Sequence, residues 1–301
     1  MNIGVYQFAS SFLLSFLMVA LILPQLRKKL LDSPNQRSSH LIATPRGGGL
    51  AFVIIGSLFS LIYSSGITRW IPVLCIPLSV IGILDDYKDL PASWRYFTQV
   101  ITATALILIT RIDLSIWQIP VYIIMITAII NFFNFMDGLD GIVAGCSVFL
   151  FAATSNWALS GSIFGFLIWN WSPAKVFMGD VGSTFIGAVF AGIALQESSK
   201  QSMIGILLLG FPLFADAAVC VMRRLYHRKN IFQAHKQHLY QRLNQAGWSH
   251  SKVATLYIIA VGLLMVVKLL WGTTFMVALI IIELLFAFFL DQNIAIEFDR
   301  S

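Results

Sequence analysis

Apolar runs long enough to cross a bilayer recur along this chain and leave little room for a soluble architecture. About eleven can be read, at roughly 5–23, 48–65, 71–84, 97–110, 119–136, 142–159, 161–172, 183–196, 203–222, 253–270 and 273–290. A membrane-crossing helix needs about 20 residues, fewer where it ends inside protein. The third, seventh and eighth runs are short, and each abuts a polar motif. Composition agrees: the 301 residues are 58% hydrophobic and 11% charged, whereas a soluble domain carries about 25% charged residues. A soluble globule, a disordered chain and a coiled coil are excluded. The expectation is an all-α, polytopic membrane protein, with a single domain over 1–301 because linkers, repeats and low-complexity tracts are absent. The first run is not expected to be a cleavable signal, since no basic segment precedes it and Arg27, Lys28 and Lys29 follow it. Cys75, Cys146 and Cys220 all lie in apolar runs and read as core residues, not as a disulfide or metal framework.

Lys and Arg set the expected orientation. Connections after the odd-numbered runs, with the tail, hold sixteen of the twenty basic residues, and the opposite side holds four. The basic-rich side is therefore expected in the cytoplasm, with the N-terminus outside and the C-terminus inside. The net charge of +6 then needs no nucleic acid to explain it.

The acids gather on the same expected side. Asp85, Asp86, Asp89, Asp137, Asp140 and Asp180 come from three connections, each at or near the end of an apolar run. One charge at a helix mouth usually marks the membrane boundary, but six on one face would repel strongly at low dielectric. They call for basic partners or a divalent cation. Mg2+ suits hard oxygen ligands and commonly bridges carboxylates to substrate phosphates. The basic half includes Thr44-Pro45-Arg46-Gly47-Gly48-Gly49, where glycines at a helix start suit either anion binding or close helix packing. It also includes Arg95 and the 223–252 loop with Arg223, Arg224, Arg228, Lys229, His235, Lys236, His238 and Arg242. That loop reads either as positive-inside topology with attraction to anionic lipid or as a phosphate or sugar site. His235 and His238 would share a helix face, but zinc needs further ligands and Cys220 lies inside a run, which argues against a zinc site.

Two runs stand out. Asn131-Phe132-Phe133-Asn134-Phe135-Met136-Asp137-Gly138-Leu139-Asp140-Gly141 puts two amides and two carboxylates at a helix end, where such groups are expensive and usually functional. Lys175 to Ser183 presents Asp180 between Gly179 and Gly182, at the start of a Gly- and Ala-rich run. Asp216 and Arg223 lie two helical turns apart and could share a face as an ion pair, or Asp216 could line the site. Glu283 has no identified partner.

Together these motifs resemble the polyprenyl-phosphate N-acetylhexosaminyl-1-phosphate transferases, the glycosyltransferase family 4 enzymes that include the muramyl-pentapeptide translocase. The resemblance rests on Thr44 to Gly49, Asp85-Asp86 with Asp89 and Arg95, Asn131 to Gly141, Phe177 to Ser183, and Pro212 to Asp216 leading to Arg223-Arg224. It implies transfer of a sugar-1-phosphate from a UDP-N-acetylhexosamine to undecaprenyl phosphate, releasing UMP, in the bacterial inner membrane. It further implies Mg2+, replaceable by Mn2+, on Asp180 with Asn134 as second ligand. Arg95 would hold the diphosphate, Asp137 and Asp140 would lie near the nucleoside, and Arg46 and Asn131 would also bind substrate. His235, His238 and Arg242 would meet the sugar or its phosphate.

Asp85 and Asp86 are the candidate catalytic pair. A phosphate monoester is mostly dianionic at neutral pH, so the pair is expected mainly to order cations and the incoming phosphate. Asp85 would remove a residual proton when one is present. The family's usual cluster of adjacent histidines is reduced here to His235-Lys236-Gln237-His238. That departure points to the branch initiating O-antigen with N-acetylated deoxyhexoses such as fucosamine or quinovosamine, and leaves N-acetylglucosamine open. Membrane lipid is the expected environment, and a homodimer is compatible with it. A transporter of an anionic substrate is the rival reading, but it predicts polar residues through the membrane depth, whereas here they crowd one side. A CDP-alcohol phosphotransferase would need Ala-Arg and two further aspartates soon after Asp137-Gly138, and these are missing.

Overall fold

The computed structural model describes residues 3–34, 42–88, 90–230, 233 and 235–298. The chain begins with α1 (Ile3–Lys29), then a two-residue antiparallel pairing of β1 (Leu31–Asp32) with β2 (Thr44–Pro45). Helices α2 (Leu50–Tyr63), α3 (Ile71–Lys88), α4 (Ala92–Thr110), α5 (Gln118–Met136), α6 (Ile142–Ala153) and α7 (Trp157–Asn170) follow. Next come α8 (Asp180–Leu195), α9 (Lys200–Leu207), α10 (Phe211–Tyr226), α11 (Leu239–Gln245), α12 (His250–Trp271) and α13 (Thr273–Asn293). Among the described residues the fold is all-α apart from the β1–β2 pair.

Most of the apolar runs read from the sequence coincide with a helix, but the run at 142–159 does not: α6 ends at Ala153 and α7 begins at Trp157, so the break falls at 154–156 and not near residue 160. The run at 203–222 is divided by a 3-10 turn, Leu208–Gly210, into α9 and α10, and α10 starts with Pro212 in its first turn, where a missing N–H costs nothing. Six segments among the described residues are long and apolar enough to cross a membrane: Ile3–Lys29, Thr68–Lys88, Gln118–Met136, Lys200–Tyr226, His250–Trp271 and Thr273–Asn293. Helices α2, α6 and α8 are apolar but shorter. The run in α4 is not among the six; its buried face carries Thr98, Gln99 and Thr102. The chain is a multi-pass membrane protein by this measure. Helix α13 exposes Ile281, Ile282, Leu285, Phe288 and Phe289, the surface a lipid-facing helix needs.

Helix α8 is the hub. Every residue from Val181 to Leu195 is buried, and α3, α4 and α5 pack around it with α2, α6 and α9. Its small residues allow this, because packing of helices in lipid depends on close backbone approach. A Cβ at Gly187 would stand 2.8 Å from the Ile130 Cα, and one at Gly182 would stand 3.0 Å from the Gly49 Cα. Elsewhere α1 lies along α7, and α6 packs against α7 and α12.

Candidate functional site

The site forms where α8 begins. Gly179, at φ +74°, turns the chain into α8 so that Asp180 is its first residue. Gly82 of α3 packs on the backbone of Asp180 and Val181, where an added Cβ would be 2.5 Å from the Val181 nitrogen. That contact places the next turn of α3, with Asp85 and Asp86, beside Asp180. Arg95, in the first turn of α4, reaches both helices: its guanidinium is 3.1 Å from Asp85 and 3.3 Å from Asp180. Asp85 also accepts a hydrogen bond from the Leu90 N–H at 2.7 Å. On the other flank Arg46 pairs with Asp32 at 2.5 Å and lies 3.5 Å from Asp86. Burial opposes the charge on Arg46, but Asp32 and Asp86 outweigh it and raise its pKa.

The α5–α6 turn closes the third side. Burial, followed by the negative charges of Asp180, Asp86 and Asp140, pushes the Asp137 carboxyl well above the ordinary range. Asn134 donates to the Ser183 hydroxyl in the first turn of α8, at 3.2 Å. Asp140 accepts from the Ala174 N–H at 3.2 Å and faces the His250 Nδ1 at the same distance, tying this turn to the α7–α8 connection and to α12. Asn170 adds a second tie, accepting from the Gly141 N–H and donating to the Val176 carbonyl. Tyr240 of α11 donates to the Phe135 carbonyl at 2.9 Å, and a Cβ at Gly138 would collide with its hydroxyl.

The structure thus brings together Arg46, Asp85, Asp86, Arg95, Asn134, Asp137 and Asp180. Other residues singled out in the sequence are engaged elsewhere. The Gly48 and Gly49 N–H groups donate to the Phe177 and Met178 carbonyls, so this part of the glycine run serves helix packing, not anion binding. Asn131 exchanges hydrogen bonds with Gln99 at 2.9 and 3.2 Å. His238 and Arg242 are buried, at 3% exposure each. Arg242 bonds to Asp291 and to the carbonyls of Gln237 and Ile296. Asp89 lies outside the described residues.

The suggested pair of Asp216 with Arg223 does not form. Arg223 makes a two-point contact with Asp291 at 2.6 and 3.0 Å. Asp216 instead accepts from the N–H groups of Leu239 and Tyr240 and from the Tyr257 hydroxyl, and faces the His238 Nδ1 at 3.5 Å. It anchors the start of α11. Burial disfavours a charge on His238, yet Asp216 outweighs it and holds the imidazole up to about 9. His235 is driven down to about 3 by burial and by His238. Cys220 joins these two histidines, with one ligand atom of each within 4.8 Å of the others. That proximity, through a chain that folds back onto α10, is what the sequence spacing concealed. Glu283 lines a cavity of about 250 Å³ between α10, α12 and α13, and its buried carboxylate oxygens have no hydrogen-bond partner among the described residues.

Several working residues were missed in the sequence: Asp32, Gln99, Asn170, Tyr240, His250 and Asp291. Only Asp291 carried a signal, as an acid at the end of an apolar run. The others are ordinary in type and gain meaning from their partners.

The donor set fits a hard divalent cation. One oxygen of Asp86 is buried without a hydrogen-bond partner, beside Asp85 and Asp180, so its charge is under-compensated by the protein alone. Arg95 holds Asp85 and Asp180 together as a cation between them would. All the charged donors are carboxylate oxygens, with Asn134 adjacent, which is the chemistry Mg2+ or Mn2+ prefers.

Fold and site define a helical, multi-pass membrane protein whose helix ends gather carboxylates and guanidinium groups around one buried helix start. Comparison with known proteins agrees and is more specific. The family model for glycosyl transferase family 4 matches residues 69–198. A probable undecaprenyl-phosphate N-acetylglucosaminyl 1-phosphate transferase of Bacillus subtilis is 31% identical, over 92% of this chain and 89% of the relative. An undecaprenyl-phosphate alpha-N-acetylglucosaminyl 1-phosphate transferase of Thermotoga maritima is also 31% identical, over 72% and 74%. A phospho-N-acetylmuramoyl-pentapeptide-transferase of Staphylococcus carnosus is 25% identical, over 87% and 96%. The chain belongs to glycosyl transferase family 4, among its sugar-phosphate transferases.

Proposed function

We propose that this protein transfers an N-acetylhexosamine-1-phosphate from a UDP-sugar to undecaprenyl phosphate, releasing UMP, at the cytoplasmic face of a bacterial inner membrane. In this reading about eleven helices cross or enter the bilayer, with the N-terminus outside and the C-terminus inside. The product would initiate O-antigen or another envelope polysaccharide. N-acetylglucosamine is the first donor to test, because the B. subtilis and T. maritima relatives carry it in their names. N-acetylated fucosamine and quinovosamine come next.

The observation that carries the reading is the convergence of Asp85, Asp86, Asp137 and Asp180 with Arg46 and Arg95, and the unpartnered buried oxygen of Asp86. The reaction joins a lipid phosphate oxygen to the sugar-linked phosphorus of a diphosphate, so anions must be brought together and their charge spread. Asp180, Asp86 and Asn134 would hold Mg2+, which when bound neutralises diphosphate oxygens and stabilises the leaving UMP. Arg95 would exchange its contacts with Asp85 and Asp180 for diphosphate oxygens. Arg46, fixed by Asp32, presents its remaining donors to a phosphate. Asp85 would order the incoming phosphate and take its residual proton. Asp137, beside Asp86 and Asp180, would meet the nucleotide. His238 and Arg242, sealed by Asp216 and Asp291, would shape the segment behind the Gly138 turn. Asp140, bonded to the Ala174 N–H, would stiffen that turn, Asn131 would tie α5 to α4 through Gln99, and the half-buried His235 would lie on the side from which the sugar approaches.

The test is incubation of the purified protein with undecaprenyl phosphate, Mg2+ and a panel of UDP-N-acetylhexosamines. Release of UMP with one donor, abolished in Asp180→Asn, is the expected result. No UMP with any donor from well-folded protein would overturn the reading.

A further inference from the structure

Cys220, His235 and His238 are set apart from the carboxylate cluster by chemistry as well as by place. Cys220 lies two-thirds of the way along α10, and the two histidines lie in the segment leading into α11. Cys220 and His238 are buried, at 2% and 3% exposure, and His235 is half-buried. One ligand atom from each lies within 4.8 Å of the other two. The segment reaches Cys220 because Asp216, one helical turn earlier on α10, accepts from the Leu239 and Tyr240 N–H groups at 2.7 and 3.0 Å and from the Tyr257 hydroxyl at 2.7 Å.

We infer that Cys220, His235 and His238 form a second metal site, for Zn2+ or a similar soft divalent ion. A thiolate and two imidazoles are the ligand type such ions select, and Mg2+ disfavours them. Metal-bound histidines characteristically present their second ring nitrogen to a carboxylate that fixes the ring. Here the Asp216 carboxylate faces the His238 Nδ1 at 3.5 Å, and Asp216 is itself held by three donors. His235 accepts the Gln237 N–H on its Nδ1 at 3.3 Å, which leaves its other nitrogen for the ion. Three protein ligands leave a fourth position for water or an incoming group, on the half-buried His235 side. Bound metal would fasten the 235–238 segment to α10 and hold α11, with Tyr240, against the Gly138 turn. The inference concerns metal binding alone and stands whether or not the protein transfers sugar phosphates.

The test uses full-length protein with any affinity tag removed, stripped with a chelator and titrated with Co2+. The expected result is about one Co2+ per chain, with a thiolate-to-cobalt charge-transfer band and the visible bands of tetrahedral Co2+, both erased by Zn2+. His235→Ala removes a half-buried ligand outside the membrane spans, so the protein should stay monodisperse. It should weaken Co2+ binding at least about 100-fold, more than the 10- to 100-fold typical of outer-shell changes. Cys220→Ser should remove the charge-transfer band. Metal loading should also slow tryptic cleavage at Arg228 and Lys229. Absence of a thiolate band in the wild type, or a band of undiminished affinity in His235→Ala, would overturn the assignment.

Discussion

A methyl group placed on Gly82 would stand 2.5 Å from the Val181 nitrogen, 2.6 Å from the Asp180 carbonyl carbon and 2.7 Å from the Val181 Cα. All three are backbone atoms, so no side chain can swing away. Ordinary contact begins at 3.4 Å, and 3.4 minus 2.5 requires α3 and α8 to part by about 0.9 Å at this level. Asp85 and Asp86 follow Gly82 by three and four residues and lie on the same helix face, so the separation falls on the gap between them and Asp180. Overpacking of this kind costs about 1–3 kcal/mol of stability, while a misplacement near 1 Å at a reacting centre can cost about 100-fold in rate. Gly82→Ala is therefore expected to fold, to melt somewhat earlier, and to release UMP about 100-fold more slowly at saturating substrates. Gly56→Ala is the control: its methyl meets side-chain atoms, Leu159 Cδ2 at 2.8 Å and Ser162 Oγ at 3.0 Å, between α2 and α7. It should lower the melting temperature and leave the rate nearly intact. Wild-type turnover by Gly82→Ala, with a melting change like that of Gly56→Ala, would refute the idea that α3–α8 spacing sets the site.

Other outcomes follow from the same contacts. Asp85→Asn should lose activity uniformly across pH if Asp85 orders charge; full recovery near pH 9, where the lipid phosphate is already dianionic, would assign it to proton removal. Asp291→Ala strips the buried Arg242 and the Arg223 fork of their shared carboxylate and should cost about 3 kcal/mol, read by thermal unfolding in detergent. Gln99→Ala leaves the Asn131 side-chain oxygen unpaired and its amide N–H only the Thr127 carbonyl, and should cost about 1–3 kcal/mol, whereas Gln99→Leu with Asn131→Leu should recover most of it.

The helices were legible because apolarity over a span-length run is a local property. The exceptions are instructive. Seven-residue α11 sits in a basic loop with no apolar run to mark it, and owes its place to Asp216. The break between α9 and α10 needed the Leu208–Gly210 turn, which hydropathy does not register. In the site, Asp85, Asp86, Asp137 and Asp180 were readable because acids at membrane depth are rare. Their neighbours were not. Gly48 and Gly49 have the composition of an anion cradle, and only the Phe177 and Met178 carbonyls reveal that their N–H groups are taken. Arg242 reads as a loop cation until Asp291, 49 residues later, closes on it. Arg223 could have paired with Asp216 by helical spacing, but α13 brings Asp291 closer. Sequence gives each charge its depth, and the tertiary fold chooses its partner.

The central claim is that two phosphates are joined at the Asp85–Asp86–Asp180 end of the bundle. Its most direct measurement is the mass of the lipid product and the identity of the nucleotide released from a UDP-N-acetylhexosamine. The account predicts UMP together with undecaprenyl diphosphate carrying one hexosamine, both lost in Asp180→Asn. UDP together with an undecaprenyl monophosphate sugar, or an unaltered lipid with every donor, would contradict it.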